Sequence, residues 1–366
     1  MAKYIYQLKG WPAFEWEQEK LTDLLSELRF EQGRVVGRME SLGFDLKEEA
    51  SLQTLTLDVL KSSEIEGEML DSGEVRSSIA RKLGMDIAGL VPSDRNVDGV
   101  VEMMLDATQE YEKELTEERL FHWHASLFPG EPGGKMVVGA WRNNAKEDPM
   151  QVVSGAMGKE RVHYQAPDSD RLPQEMKMFC EWFNSGHPMD PIMKAAIAHL
   201  WFVTIHPFDD GNGRIARAIT DLQLARADRN HQRFYSMSAQ IRKERSSYYN
   251  ILERTQQNTL NITNWLQWFL QCLQRALTST GATLETVMSK AAFWEKHSTT
   301  IFNNRQLMML NKLLDGIEGK LSSSKWAKMA KCSSDTAVRD INDLVQRGVL
   351  VKEAAGGRST NYGLKG

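Results

Sequence analysis

One segment of the chain collects the side chains that handle phosphate and protons. Residues 206–217, HPFDDGNGRIAR, hold one histidine, two aspartates, one asparagine, two glycines and two arginines. Apolar residues at helical spacing precede the segment in residues 193–205 and follow it in residues 215–227. Because two glycines weaken a helix interior, we expect a turn between two core helices, at the start of the second. The first turn of a helix presents free N–H groups and favours an anion.

The glycines and arginines of this turn suit a bound phosphate. Gly211 and Gly213 leave room for a ligand to approach the backbone. Arg214 and Arg217, three positions apart, lie on one side of the second helix, where each guanidinium can bind phosphate oxygens through two N–H groups. Together these residues predict an anion site at the helix start.

The remaining polar residues add metal and proton chemistry. Asp210 could hold Mg²⁺ between two phosphates, and Asn212 could donate its amide to a phosphate oxygen. His206 titrates near neutral pH, so it could take a proton from an attacking hydroxyl. Each residue alone has an ordinary structural interpretation, such as a capping histidine or a simple turn. A calcium loop is excluded because its aspartate spacing and terminal glutamate are absent.

At every fixed position the segment resembles the motif of Fic-domain proteins, H-x-F-x-[D/E]-G-N-G-R-x-x-R. Fic enzymes mostly transfer AMP from ATP to a hydroxyl side chain of a target protein. The resemblance implies that His206 is the general base, that Asp210 binds Mg²⁺ and that Arg217 faces the terminal phosphate. It assigns the anion hole to four residues: Gly211, Asn212, Gly213 and Arg214. The Doc-type kinases carry lysine where this chain has glycine at position 213, which favours AMP transfer over phosphate transfer.

A second motif lies upstream, in KSSEIEGE at residues 61–68. Ser62, Glu66 and Gly67 resemble the inhibitory motif [S/T]-x-x-x-E-[G/N] that many Fic proteins carry. The resemblance implies that Glu66 pairs with Arg217 and blocks the γ-phosphate, because a carboxylate and a phosphate compete for one guanidinium. A solvated helix end with a glycine cap is the alternative. Some family members use this glutamate to remove AMP, and the sequence leaves a brake and a reverse catalyst both open.

Two further segments resemble parts of the Fic site. Valine-containing runs flank turn residues 155–158 and predict a β-hairpin over residues 150–167. It resembles the flap that grips the target, which would turn His163 and Tyr164 toward that target; a purely structural hairpin is the alternative. Tyr248 and Tyr249 resemble the aromatic wall of the adenine pocket, although helix-face core packing would explain them equally. Gln256 stands where the family often has a ribose-binding asparagine.

Almost every other segment has the apolar spacing of helices. We therefore expect a mainly α protein, with a Fic helical core, a small β-hairpin flap, an N-terminal helical extension and a C-terminal winged helix-turn-helix. The predicted domains are residues 1–97 (extension with the inhibitory motif), 98–297 (Fic catalytic domain) and 298–366 (winged helix-turn-helix). HWH at 122–124 is interpreted as structural, since residues two apart do not share a helix face.

The tail differs from the body in charge. Residues 301–366 hold eleven lysines and arginines against six acidic residues, a net charge of +5, whereas the whole chain carries −4. Five basic residues of the tail could contact DNA phosphates: Lys325, Lys328, Lys331, Arg339 and Arg347. Three aspartates on the presumed recognition helix would repel DNA: Asp335, Asp340 and Asp343. Many winged helices bind proteins instead, so the tail leaves DNA and protein partners open.

Composition sets the class of protein. A chain of 366 residues, 41% hydrophobic and 26% charged, is typical of a globular protein with two or three domains. No apolar run reaches the roughly 18 residues of a membrane span, and the N-terminus lacks a signal-peptide pattern. The three cysteines of the chain are widely spaced and form no metal or disulfide pattern. We expect a cytoplasmic protein with no membrane partner.

The sequence therefore predicts an autoinhibited protein adenylyltransferase with ATP and Mg²⁺ as substrate and metal, and a target protein, or the chain itself, as acceptor. A nucleotide-sensing DNA-binding regulator is the first alternative, and an AMP-removing hydrolase that uses Glu66 is the second. Homodimers are common in the family, although no residue of this sequence indicates one.

Overall fold

The computed structural model describes residues 3–40, 44–87, 89–130, 136–155, 159, 161–186, 188–317, 319–353 and 360–365. In this part of the chain the protein is mainly helical, with fourteen α-helices and four short strands, as the sequence predicts. The first seven helices are α1 Glu19–Glu40, α2 Phe44–Ile65, α3 Ser72–Lys82, α4 Arg95–Gln109, α5 Glu117–Leu127, α6 Leu172–Asn184 and α7 Pro191–Ile205. The next seven are α8 Asn212–Asp228, α9 Met237–Lys243, α10 Arg245–Gln256, α11 Thr263–Lys296, α12 Asn304–Leu314, α13 Ser323–Met329 and α14 Ser334–Gln346. The strands are β1 Gln151–Ser154, β2 Arg161–Gln165, β3 Leu350–Lys352 and β4 Tyr362–Leu364.

The chain packs as two compact units. The first consists of residues 1–79 and 93–281, and the second of residues 80–92 and 282–366. The division into domains at residues 97 and 297 stays a prediction.

Two adjacent helices, α7 and α8, form the centre of the first unit. In α7 every residue from Ile192 to Ile205 is buried. A helix that is apolar on all sides can only be stable inside a core. Pro191 begins α7, where its missing N–H costs nothing, and the Asp190 carboxylate accepts a hydrogen bond from the Ile192 N–H. Because α8 packs along α7, the turn that joins them is held on both sides by buried helices.

The hairpin predicted over residues 150–167 is present in the first unit. Strands β1 and β2 are antiparallel, with Val152 opposite Tyr164 and Val153 opposite Val162, and the register is irregular between Val152 and Val153. Of the predicted turn 155–158, residues 156–158 lie outside the described residues. The hairpin therefore supplies a short antiparallel sheet beside α10.

The second unit has three short helices followed by a two-stranded antiparallel sheet. Strands β3 and β4 pair Leu350 with Leu364, and the side chains of Met309, Trp326 and Ile341 are among its core. Helix α14 begins after Ser333, whose hydroxyl accepts from the Thr336 N–H. A winged helix-turn-helix with DNA or protein as its partner stays a prediction.

Other predictions concern membranes and cysteines. None of the helices within the described ranges combines the length and apolarity that crossing a bilayer requires. Cys180, Cys272 and Cys332 are all free thiols, in agreement with the absence of a disulfide pattern.

Candidate active site

His206 ends α7 in a left-handed conformation. Its φ is 53° and its ψ is 59°, a region that non-glycine residues seldom occupy. The Arg142 guanidinium donates to the His206 carbonyl at 2.8 Å, and the Arg142 N–H donates to the Pro207 carbonyl at 2.9 Å. Arg142 is buried, so these bonds fix the turn from behind. The strained backbone is thus held by a side chain from a separate loop.

The imidazole of His206 is poised as a base. Its Nδ1 lies 3.3 Å from the Val203 carbonyl oxygen, which can only accept, so Nδ1 carries the proton. The other ring nitrogen, Nε2, then has a free lone pair. Burial lowers the pKa of His206 to about 4, against the opposing effect of the Val203 carbonyl. The ring is therefore neutral and able to accept a proton at neutral pH.

Asn212 closes the turn on itself. Its Oδ1 accepts from the Phe208 N–H at 3.0 Å, and its Nδ2 donates to the Phe208 carbonyl at 2.8 Å. Both polar atoms of the side chain bond to the loop backbone, but Nδ2 carries a second N–H, so donation from this amide to a phosphate oxygen stays a prediction. The N–H groups of Asn212, Gly213 and Arg214 belong to the first turn of α8, which has no intrahelical acceptors. These backbone donors are suited to an anion.

Arg217 is buried and contacts the predicted inhibitory segment. Its Nε donates to the Ser62 hydroxyl at 2.8 Å, and its Nη2 donates to the Ser62 carbonyl at 2.9 Å and to Glu66 Oε1 at 2.7 Å. Burial alone would raise the pKa of Glu66, but the charges of Arg217 and Arg214 outweigh it and hold the pKa below its usual value. Glu66 is thus an ionised carboxylate on the second arginine of the motif.

Gly213 lies directly beneath that carboxylate. A Cβ atom at this position would stand 2.1 Å from Glu66 Oε1 and 3.0 Å from Glu66 Cδ, closer than atoms can approach. Glu66 therefore occupies the space over the start of α8 that a side chain at position 213 would fill.

Arg214 has a carboxylate partner that the sequence did not suggest. Its Nη1 donates to Glu68 Oε2 at 2.8 Å, and its guanidinium stacks over the Phe128 ring at 5.2 Å. Glu68 follows Glu66 by two residues, and this short spacing was the available signal. Each of the two arginines of the motif thus has an acidic partner from one segment.

Asp210 is exposed at the rim of the turn. Its Oδ1 accepts from the Gly211 N–H at 2.6 Å, which leaves Oδ2 available. No cluster of three or more histidine, cysteine, aspartate or glutamate side chains suited to a metal occurs among the described residues. A metal here would need ligands from the substrate, which is how Mg²⁺ is usually bound beside phosphates.

Two residues that the motif resemblance assigned to ligands are buried instead. Tyr248 is 2% exposed, and its hydroxyl lies 2.7 Å from Nε2 of His199, inside the core. This packing matches the core alternative for Tyr248, and its place in an adenine wall stays a prediction. Tyr164 is 1% exposed, and its hydroxyl donates to the Thr204 carbonyl at 2.6 Å, so it cannot face a target. Tyr249 is partly exposed, with its hydroxyl 3.5 Å from Glu66 Oε2.

His163 links the hairpin to α10. Its Nδ1 lies 2.7 Å from Glu253 Oε2, and its Nε2 lies 2.6 Å from the Ser154 hydroxyl. Arg161 also donates to Glu253, at 2.6 Å. The side chain that was expected to face a target is therefore engaged inside the protein.

His124, which the HWH pattern assigned to structure, lies against the motif loop. Its ring stacks on Phe208 with the centroids 4.2 Å apart, and its Nδ1 accepts from the Gly139 N–H at 3.0 Å. Asp209 Oδ2 accepts from the Val137 N–H at 2.9 Å, which ties the same loop a second time. These supporting residues are spread along the chain, so spacing could not reveal them.

Comparison with known families gives two matches. Residues 114–224 match the Fic/DOC family, and residues 4–85 match a domain of unknown function, DUF4172. The proteins named "Protein adenylyltransferase Fic" from Drosophila ananassae and Drosophila melanogaster are 34% and 33% identical to this chain over 113 residues, which are 30% of its length. The match spans about a fifth of those relatives, 21% of their length.

Two solved structures share the fold of this chain. A Fic family protein from Desulfovibrio desulfuricans aligns with a TM-score of 0.51 and 21% identity, over 94% of this chain and 96% of its own. A Fic domain containing signaling protein from Bacteroides thetaiotaomicron aligns with a TM-score of 0.51 and 20% identity, over 72% of this chain and 97% of its own. The segment that matches the Fic/DOC family, residues 114–224, contains the whole turn with His206 and Arg217.

Proposed function

We propose that this protein transfers AMP from ATP to a hydroxyl side chain of a target protein and that Glu66 holds it in an inhibited state. The observation that carries the proposal is the start of α8, where two buried arginines face two carboxylates beside a neutral histidine. Buried guanidinium groups need anionic partners, and phosphates satisfy the same geometry. The match to relatives named protein adenylyltransferase supports this class of reaction.

His206 performs the proton transfer in this proposal. The target hydroxyl attacks the α-phosphorus of ATP, a P–O bond forms to AMP, and the bond to pyrophosphate breaks. The hydroxyl proton passes to His206 Nε2, the ring nitrogen whose lone pair is free because Nδ1 donates to Val203. The strained turn at His206, held by Arg142, fixes the direction in which Nε2 points.

The first turn of α8 and its two arginines bind the phosphates. Backbone N–H groups of the first turn cradle oxygens of the nucleotide, and Arg214 and Arg217 neutralise the charge that grows on the leaving pyrophosphate. Asp210 has the exposed oxygen that Mg²⁺ prefers, and the ion would supply charge neutralisation between phosphates when bound.

Glu66 inhibits by occupying the same donor. Its carboxylate binds Arg217 Nη2 and covers Gly213. A nucleotide phosphate can therefore contact Arg217 and the backbone at Gly213 only after Glu66 has left. Helix α2 holds the carboxylate in place: Ser62 accepts from Arg217, and Glu64 accepts from Arg242 at 2.9 Å. Inhibition is thus a competition between one carboxylate and one phosphate.

Pyrophosphate release from ATP tests the proposal. We expect the full chain with Glu66→Gly to release pyrophosphate when a pool of candidate target proteins is added, and the wild type to release far less. The double variant Glu66→Gly/His206→Ala should lose the release while still binding ATP. Equal release by the wild type and by Glu66→Gly would contradict the inhibitory role. Pyrophosphate release that survives His206→Ala would contradict the base.

A further inference from the structure

The segment after α2 brings a second carboxylate to the phosphate-binding arginines. Glu68 Oε2 lies 2.8 Å from Arg214 Nη1, and Glu66 Oε1 lies 2.7 Å from Arg217 Nη2. The arginine side chains are 7% and 2% exposed, whereas the glutamates are 37% and 31% exposed. The arginines are therefore fixed parts of the site, and the glutamates are the partners that can leave toward solvent.

A glycine turn produces this arrangement. Gly67 has a φ of 90°, a conformation that favours glycine, and both neighbouring N–H groups, of Glu66 and Glu68, donate to the Ser63 carbonyl at 3.1 Å. The turn folds the chain back after α2, so two carboxylates two residues apart reach two arginines three residues apart on α8. A continued helix would not do so, because residues two apart on a helix do not share a face.

The arginines retain donors that the carboxylates do not satisfy. Arg217 Nη1 and Arg214 Nε are buried and have no acceptor among the described residues. Buried donors without partners are uncommon because each costs free energy. Phosphates have more acceptor oxygens than the two carboxylates, so a polyphosphate can satisfy groups that the inhibitory segment leaves unpaired.

We propose that Glu68 is a specificity-determining residue of the nucleotide site, which together with Glu66 imitates two adjacent phosphates. A ligand displaces the segment fully only if it replaces both anions, so nucleoside di- and triphosphates are selected over monophosphates. Glu68 weakens every ligand that needs Arg214, and Glu66 weakens those whose terminal phosphate needs Arg217. This inference rests on the proposed nucleotide site, and it adds a second carboxylate to it.

Binding of AMP, ADP and ATP to the full chain by isothermal titration calorimetry tests the inference. We compare the wild type, Glu68→Gln, Glu66→Gln and the double variant. The matched control is Glu49→Gln, on the preceding helix α2, whose carboxylate pairs with Arg76 at 3.0 Å. Glutamine keeps the size of the side chain and removes the charge, and melting temperatures check that each variant is folded.

We expect Glu68→Gln to tighten ADP and ATP by about threefold to tenfold, the range for a partly exposed, charge-assisted contact, and AMP by less. Glu66→Gln should tighten ATP more than ADP, and the double variant should gain most. Suppose that Glu68→Gln binds all three nucleotides with the affinity of the Glu49→Gln control, while Glu66→Gln binds ATP more tightly. That result would overturn the role of Glu68 alone. An equal gain for AMP and ATP would overturn the two-phosphate imitation. Failure of the double variant to bind any nucleotide would overturn both this inference and the proposed function.

Discussion

The neutral state of one imidazole decides whether the proposed chemistry can run at physiological pH. Burial lowers the pKa of His206 from 6.5 to about 4, while the negative charge of Glu66 acts in the opposite direction. A lowered pKa means that the base is lost only when the pH falls toward 4. We expect kcat/KM of the Glu66→Gly variant to be flat from about pH 8 down to about pH 5 and to fall only toward pH 4 or below, since removing Glu66 lowers the pKa of His206 further. An acid limb with its midpoint at or above the ordinary value of 6.5 would contradict a buried, neutral base.

The contact of Glu66 with the backbone at Gly213 can be tested without nucleotide. Because a Cβ at position 213 would stand 2.1 Å from Glu66 Oε1, Gly213→Ala must push the carboxylate off Arg217. We expect it to lower the free energy of unfolding by about 1–3 kcal/mol in the wild type. In a Glu66→Ala background, where the obstacle is gone, the cost should be much smaller. Equal costs in the two backgrounds, measured by urea denaturation, would mean that Glu66 does not lie on Gly213.

At the scale of elements, the hairpin is tied to α10 by a small polar cluster. The Glu253 carboxylate bonds to the side chains of Arg161 and His163 on β2, and Gln257 donates to the His163 carbonyl at 2.7 Å. We expect Glu253→Gln to loosen the hairpin because the carboxylate loses its charge toward both partners. Amide hydrogen exchange in residues 151–154 and 161–165 should quicken severalfold, while α7 stays protected. Lys146→Met is the control, since Lys146 pairs with Asp170 away from Glu253. Unchanged exchange of the hairpin would show that other contacts hold it.

The elements also explain what the sequence could and could not predict. The turn of the motif was predictable because its functional residues lie within one short segment between two helices of clear apolar spacing. The inward position of Tyr248 was not, because α10 offers two aromatic faces and spacing alone does not say which one packs against His199. The bonds between the Asn212 amide and the Phe208 backbone were not predictable, because composition cannot distinguish such a local bond from a ligand contact. Glu68 was missed because its contact depends on the turn at Gly67.

At the scale of the whole molecule, α2 is joined to the centre of the first unit by buried charges. Asp58 accepts from the Ser236 hydroxyl at 2.5 Å, and Arg233 donates to Asp221 at 3.0 Å and lies 4.0 Å from Asp228. Burial raises the pKa of Asp58, Asp221 and Asp228, and the charge of Arg233 opposes that effect. The cluster joins α2, which directly precedes Glu66, to α8, which carries both motif arginines.

Among the described residues, Arg233 is the positive charge that these three carboxylates have in common. Its removal should therefore be costly. We expect Arg233→Met to lower the free energy of unfolding of the first unit by about 3–5 kcal/mol, because buried carboxylates are left without compensation. Arg305→Met in the second unit is the comparison: Arg305 pairs with Asp340 at 2.8 Å but is 43% exposed, so its loss should cost about 1 kcal/mol or less. Urea unfolding, followed by tryptophan fluorescence, measures both. Similar costs for the two variants would contradict a charge cluster that stabilises the first unit.

We propose that this chain adds AMP to hydroxyl groups and that Glu66 restrains it. Intact mass of the full chain after incubation with ATP and Mg²⁺ tests it most directly, in the wild type, in Glu66→Gly and in Glu66→Gly/His206→Ala. We expect an added AMP on Glu66→Gly, little on the wild type and none on the double variant. An added phosphate in place of AMP, or an AMP adduct that persists without His206, would contradict it.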